Sequence, residues 1–111
     1  MKIETSRHGA VTVVRPDGPL VAEDMASLIK GFEDAAVKSL GRVVVDCSAS
    51  PYADSEGLEG LLDLVDHQER GGQALKLIGV GETLRESMTL TETAPRFEFF
   101  SDLNSAVRSF S

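Results

Sequence analysis

Two hydrophobic periods alternate along the chain. β-branched apolar residues cluster at Val11, Val13 and Val14, and again at Val43, Val44 and Val45. Between and after them, Met25, Leu28, Ile29, Phe32 and Ala36, then Leu58, Leu61, Leu62 and Val65, recur at the spacing of one helical face. Residues 2–6 and 10–15 read as two strands turning at His8-Gly9, an antiparallel hairpin. Arg15-Pro16-Asp17-Gly18-Pro19 ends it with dense turn chemistry. A helix is predicted over 22–39, with Glu23 and Asp24 in its first turn and Lys38 in its last, as the macrodipole favours. Gly31 inside this helix costs about 1 kcal/mol relative to alanine, which close packing against a neighbour would explain. Gly41 reads as its stop signal.

The strand predicted over Arg42–Cys47 has unbroken valines, the pattern of a central parallel strand buried on both faces. The next helix runs from about 55 to 70 and closes at Gly71-Gly72; Glu56, Glu59, Asp63 and Asp66 fall on its exposed positions. Ala74–Val80 is a further strand, 82–90 a short helix and 91–95 a loop. Phe97–Phe99 is a short strand. A last helix capped by Ser101 turns Leu103, Ala106, Val107 and Phe110 inward. The order ββαβαβαβα predicts one α/β domain over 1–111: a mixed, mostly parallel sheet with an N-terminal antiparallel hairpin and about four helices. Its expected core includes Met25, Phe32, Val44, Leu61, Val65 and Leu77.

Composition narrows the function classes. A chain of 111 residues suits one core, and 41% hydrophobic with 26% charged residues is ordinary for a globular protein. The formal net charge of −7 argues against a general binder of nucleic acid or anionic membrane. No apolar run is long enough to span a bilayer, and Met1–Thr5 lacks the apolar region of a signal peptide, so a cytoplasmic protein without membrane insertion is expected. The single cysteine, Cys47, follows a valine-rich strand and reads as a small buried side chain with no local base. His8 and His67 are far apart, no metal-ligand spacing is evident, and His67 is placed on the solvated end of its helix. Gly79-Val80-Gly81 stands where a phosphate loop could, but lacks the third glycine and the lysine-serine ending, so it reads as a plain strand-to-helix turn. Asp54 and Glu56 do not face each other as paired acid and base would. No enzyme activity, cofactor or metal is expected.

The candidate chemistry lies at Asp54-Ser55-Glu56-Gly57-Leu58. Asp54 suits the N-cap of the 55–70 helix, since its carboxylate can accept from a free backbone N–H. That puts the Ser55 hydroxyl in the first turn, where unpaired N–H groups and the dipole tolerate a phosphate. On spacing alone, the favoured reading is that Asp54 and Ser55 only cap a helix.

These residues resemble the STAS domain, the fold of bacterial anti-sigma factor antagonists. The likeness spans nearly the whole chain. It is carried by Val43-Val44-Val45-Asp46, Tyr52 and Asp54-Ser55-x-Gly57-Leu58, and supported by Gly18-Pro19-Leu20, Gly71-Gly72 and Ser101-x-x-x-Ser105-Ala106. The resemblance implies that Ser55 is the phosphorylated serine of a partner-switching pathway. It implies as partners an anti-sigma factor or GHKL-type serine kinase, which binds the unmodified form, and a PP2C-type phosphatase, which resets it. Asp54, Ser55, Glu56, Gly57, Leu58 and Glu59 would then form the partner-binding tip. The chain departs from the family at Glu56, where a second Ser/Thr is usual, at Glu59, where glycine is frequent, and at Val21-Ala22, where an acidic residue is common. Two other expectations remain open: a constitutive accessory subunit of a transporter or chemosensory complex, and a small-ligand binder.

Overall fold

Val43, Val44 and Val45 occupy the middle of a five-stranded sheet, and all three are fully buried. The computed structural model describes residues 1–111. The strands are β1 (Lys2–His8), β2 (Val11–Asp17), β3 (Val43–Asp46), β4 (Leu75–Ile78) and β5 (Phe97–Phe99). They lie side by side in chain order. The β1–β2 pair is the antiparallel hairpin, and β2 to β5 are parallel. The helices are α1 (Met25–Lys38), α2 (Ser55–Arg70), α3 (Glu82–Leu90) and α4 (Leu103–Arg108).

Each of α1, α2 and α3 links one parallel strand to the next in the same direction. Right-handed crossovers therefore put all three on one face of the sheet. The main core lies there: Phe32, Leu28, Leu61, Val65, Leu84 and Met88 pack with Val43, Val45 and Leu77. The opposite face carries a smaller cluster of Val11, Val13, Val44, Ile78 and Ala106, covered by α4 with Leu103, Val107 and Phe110. The alternation within Val43-Val44-Val45 feeds both cores: Val43 and Val45 are buried in the main one and Val44 in the smaller one. Lys76 also points to the α4 side. Its ammonium lies 3.8 Å from the Phe110 ring centroid and donates to Ser109 Oγ at 2.6 Å, which satisfies a buried cation.

The predicted elements differ from the observed ones in several places. β1 and β2 run on to His8 and Asp17, so Pro16 pairs with Ile3 inside the hairpin and the turn is Gly9-Ala10. The 22–39 helix opens with a 3-10 turn at Ala22–Asp24, and α1 starts only at Met25, so Glu23 and Asp24 lie outside its first turn. A second 3-10 turn, Ala94–Arg96, takes up the end of the predicted 91–95 loop. Asp102, not Ser101, caps α4: its Oδ1 accepts from Ser105 N at 2.7 Å. His67 is half-buried and meets Phe32 edge-on, centroids 5.9 Å apart, instead of standing in solvent. Gly31 does serve close packing, since a Cβ there would sit 3.3 Å from Ile3 Cγ2 of the hairpin.

Candidate functional site

The loops after β2, β3 and β4 meet at the carboxyl ends of the parallel strands. β3 ends at Asp46, and the chain crosses Ser48–Ala53 before α2 begins. Ser48 N donates to Asp46 Oδ1 at 2.9 Å, folding the chain back over the strand end. The loop then runs beside the segment after β2: Leu20 N donates to Tyr52 O at 2.9 Å, and Asp54 N donates to Leu20 O at 3.0 Å. Leu20 and Ala53 thus form a one-residue parallel bridge that aligns the two loops.

Asp54 joins both sides of this seam. Its backbone is extended (φ −85°, ψ −179°), as an N-cap requires. Oδ1 accepts from Gly57 N at 2.7 Å, closing the first turn of α2. Oδ2 accepts from Ala22 N at 3.2 Å, the first residue of the 3-10 turn before α1. One carboxylate therefore caps two helical starts.

Gly57 sits over the Leu20 carbonyl, where a Cβ would lie 1.9 Å from the oxygen. Only glycine lets α2 approach this closely. Gly60, one turn on, faces Met25, with a Cβ 2.6 Å from its Sδ. That group is the flexible end of a side chain and could move. Leu58 is buried in the main core and anchors the first turn of α2.

The remaining residues of the tip are free. Ser55, Glu56 and Glu59 are exposed. None of the three makes a side-chain hydrogen bond or ion pair. The Ser55 hydroxyl is at the first position of α2, where the opening N–H groups of a helix have no intrahelical acceptor. Glu56 and Glu59 give this end of the helix negative charge, and Tyr52 in the loop before it is 47% exposed. Of the predicted tip residues, Asp54, Gly57 and Leu58 build the platform; Ser55, Glu56 and Glu59 face outward from it.

Cys47 lies under this loop, 1% exposed. Burial first, and the neighbouring Asp46 charge second, push its thiol up to about 12 from 9.0. A thiol held protonated in this way is a packing group and not a nucleophile. The roles of Leu20 and Ala22 were hidden at the level of sequence. Gly18-Pro19-Leu20 stood out as a turn, but nothing local signalled that its carbonyl and amide would meet residues more than thirty positions later.

The family model of the STAS domain matches residues 2–106. Among solved structures, an anti-sigma factor antagonist from Mycobacterium paratuberculosis superposes with TM-score 0.82 at 20% identity, covering 97% of this chain and 92% of that one. The anti-sigma factor antagonist SpoIIAA in its unphosphorylated form gives TM-score 0.70 at 12% identity, covering 98% and 96%. A serine-to-glutamate variant of RsbS from Moorella thermoacetica gives 0.75 at 17%, covering 98% and 94%. No curated protein matches by sequence. No helix is long and apolar enough to cross a membrane.

Proposed function

The chain belongs to the STAS domain family, and on that premise we propose that it is an anti-sigma factor antagonist-like protein-binding module, switched by phosphorylation of Ser55. The observation that carries the reading is the division of labour at the tip. Asp54, Gly57 and Leu58 are fully used in holding the start of α2, while the adjacent Ser55 hydroxyl is exposed and unengaged. A kinase can reach it without unfolding anything. Phosphorylation adds roughly −1.5 to −2 charges, which the first turn of a helix accommodates. The fold survives, and an interface fitted to a neutral hydroxyl does not.

Asp54, Ser55, Glu56, Gly57, Leu58 and Glu59 form the docking tip in this reading. The partner is an anti-sigma factor or GHKL-type serine kinase, and a PP2C-type phosphatase restores the unmodified form. The acidic Glu56 and Glu59 call for basic groups on the partner opposite the tip. The protein performs no turnover of its own and works inside the cytoplasm.

The test is calorimetric titration of wild type, Ser55→Ala and Ser55→Asp against a GHKL-type kinase from the same organism, with mass spectrometry of the wild type after incubation with that kinase and ATP. Binding is expected for wild type and Ser55→Ala, and phosphate at Ser55 only. Ser55→Asp should bind at least about tenfold more weakly, the effect of burying one unpaired charge. Equal affinity of wild type and Ser55→Asp would sink the switch and leave a constitutive STAS subunit as the better account.

A further inference from the structure

A second feature at the same end of the sheet is independent of Ser55. Between α3 and the end of β5 lies a cleft of about 370 Å³, lined by Gly79, Val80, Arg85, Phe99, Phe100 and Ser101. We propose that this cleft binds a small organic anion, a carboxylate or phosphate ester carrying an apolar or aromatic body.

Charge is the first argument. The Arg85 guanidinium carbon lies 3.7 Å from the centroid of the Phe99 ring, flat-on contact distance for a cation–π pair. Arg85 forms no ion pair and no side-chain hydrogen bond. Stacking uses a face of the guanidinium and leaves its planar edge of N–H donors free, the arrangement suited to bidentate capture of an oxyanion. A nearby cleft offers the contrast. It contains Arg15, but there Glu4 at 2.9 Å and Asp46 at 3.9 Å already neutralise the guanidinium. No acidic residue lines the Arg85 cleft.

Shape is the second argument. Val80, Phe99 and Phe100 supply apolar wall, and Ser101 adds a polar residue to the lining. The volume sits at the small end of the range for ligand pockets, about 300–1,000 Å³. That space takes one ring with its anionic head, and not a dinucleotide. The turn at Gly79-Val80-Gly81 cannot carry a phosphate-loop function by its composition, yet it provides one wall of the cleft. Its position is fixed, because Gly79 (φ +68°) is packed so that a Cβ would meet Asp46 Oδ1 at 2.8 Å and Ser48 N at 2.9 Å.

The test is an amide-resolved NMR titration of the full chain with phenyl phosphate, alongside inorganic phosphate and benzyl alcohol as its two halves. Phenyl phosphate should give saturable shifts at residues 79–81, 85 and 99–101, half-saturating below about 10 mM. Arg85→Met should weaken this about tenfold, the worth of one charge-assisted hydrogen bond, while the rest of the spectrum stays in place. Absence of saturable shifts at these residues, or equal binding by Arg85→Met, would overturn the site. Inorganic phosphate binding as tightly as phenyl phosphate would overturn its organic specificity, as benzyl alcohol binding as tightly would overturn its preference for anions.

Discussion

The α-carbon of Gly57 faces the carbonyl of Leu20 with no room between them for a methyl group: a Cβ would lie 1.9 Å from the oxygen and 2.7 Å from its carbon. Both partners are backbone, so neither can swing aside as a side chain could. Gly57→Ala must therefore push α2 away from the loop after β2, stretching the Asp54 N to Leu20 O bond and the cap on Gly57 N. The expected cost is about 1–3 kcal/mol, the usual penalty of overpacking, or more. Urea denaturation monitored by circular dichroism measures it. The variant should also lose affinity for any partner docking at the tip, because the start of α2 is displaced.

Asp54→Ala removes the acceptor for both Gly57 N and Ala22 N. An ordinary N-cap replacement costs about 0.5–2 kcal/mol. The double role of this carboxylate places the expected loss at the upper end, about 2 kcal/mol. Asp54→Asn keeps one acceptor oxygen and should lose less. Hydrogen exchange separates the two effects: faster exchange at Ala22 in Asp54→Ala would confirm the bond to the 3-10 turn. An Ala22 amide exchanging at its wild-type rate would contradict it.

Cys47 sets an alkaline limit. Its thiol is held up to about 12 in the folded chain against 9.0 ordinarily. Below about pH 9 both folded and unfolded thiols are protonated and the contribution of Cys47 to stability is fully present. Above it the unfolded chain sheds the proton first, so stability falls as pH rises toward about 12. Denaturation midpoints at about pH 8 and about pH 11 should therefore differ more for wild type than for Cys47→Ala. An identical drop in both would contradict the burial of the thiol.

The parts legible in the sequence were those that local periodicity controls. Ser55–Arg70 and Glu82–Leu90 match the predicted helices because a cap or a glycine stands immediately before each apolar stripe. The reading of Val43-Val44-Val45 as buried on both faces holds because β-branched runs without polar alternation have few other uses. Where the sequence misled, either two neighbouring residues were equally good local choices or a contact from far along the chain decided. Ser101 and Asp102 are both competent caps, and only the position of Ser105 N selects Asp102. Ala22 opens a 3-10 turn instead of the α-helix, and its amide is held by the Asp54 carboxylate, far along the chain. His67 looked solvated on helix polarity alone, but Phe32 of α1 supplies a ring edge for it. The candidate tip was legible through its resemblance to a known motif, whereas the Arg85–Phe99 stack joins two elements with no sequence signal between them.

The seam between the two loops is held by backbone groups, one carboxylate and one glycine, and this frees the surface around it to change. The side chains of Ser55, Glu56 and Glu59 add nothing to the hydrogen bonding that fixes α2, so substitutions there fall in the class that shifts stability by no more than about 0.5 kcal/mol. Charge and bulk at the tip can drift, or be redesigned, without first acquiring a stabilising change elsewhere. Such a layout makes the tip surface evolvable: duplicated copies could diverge at a few exposed positions, each keeping the same inherited scaffold.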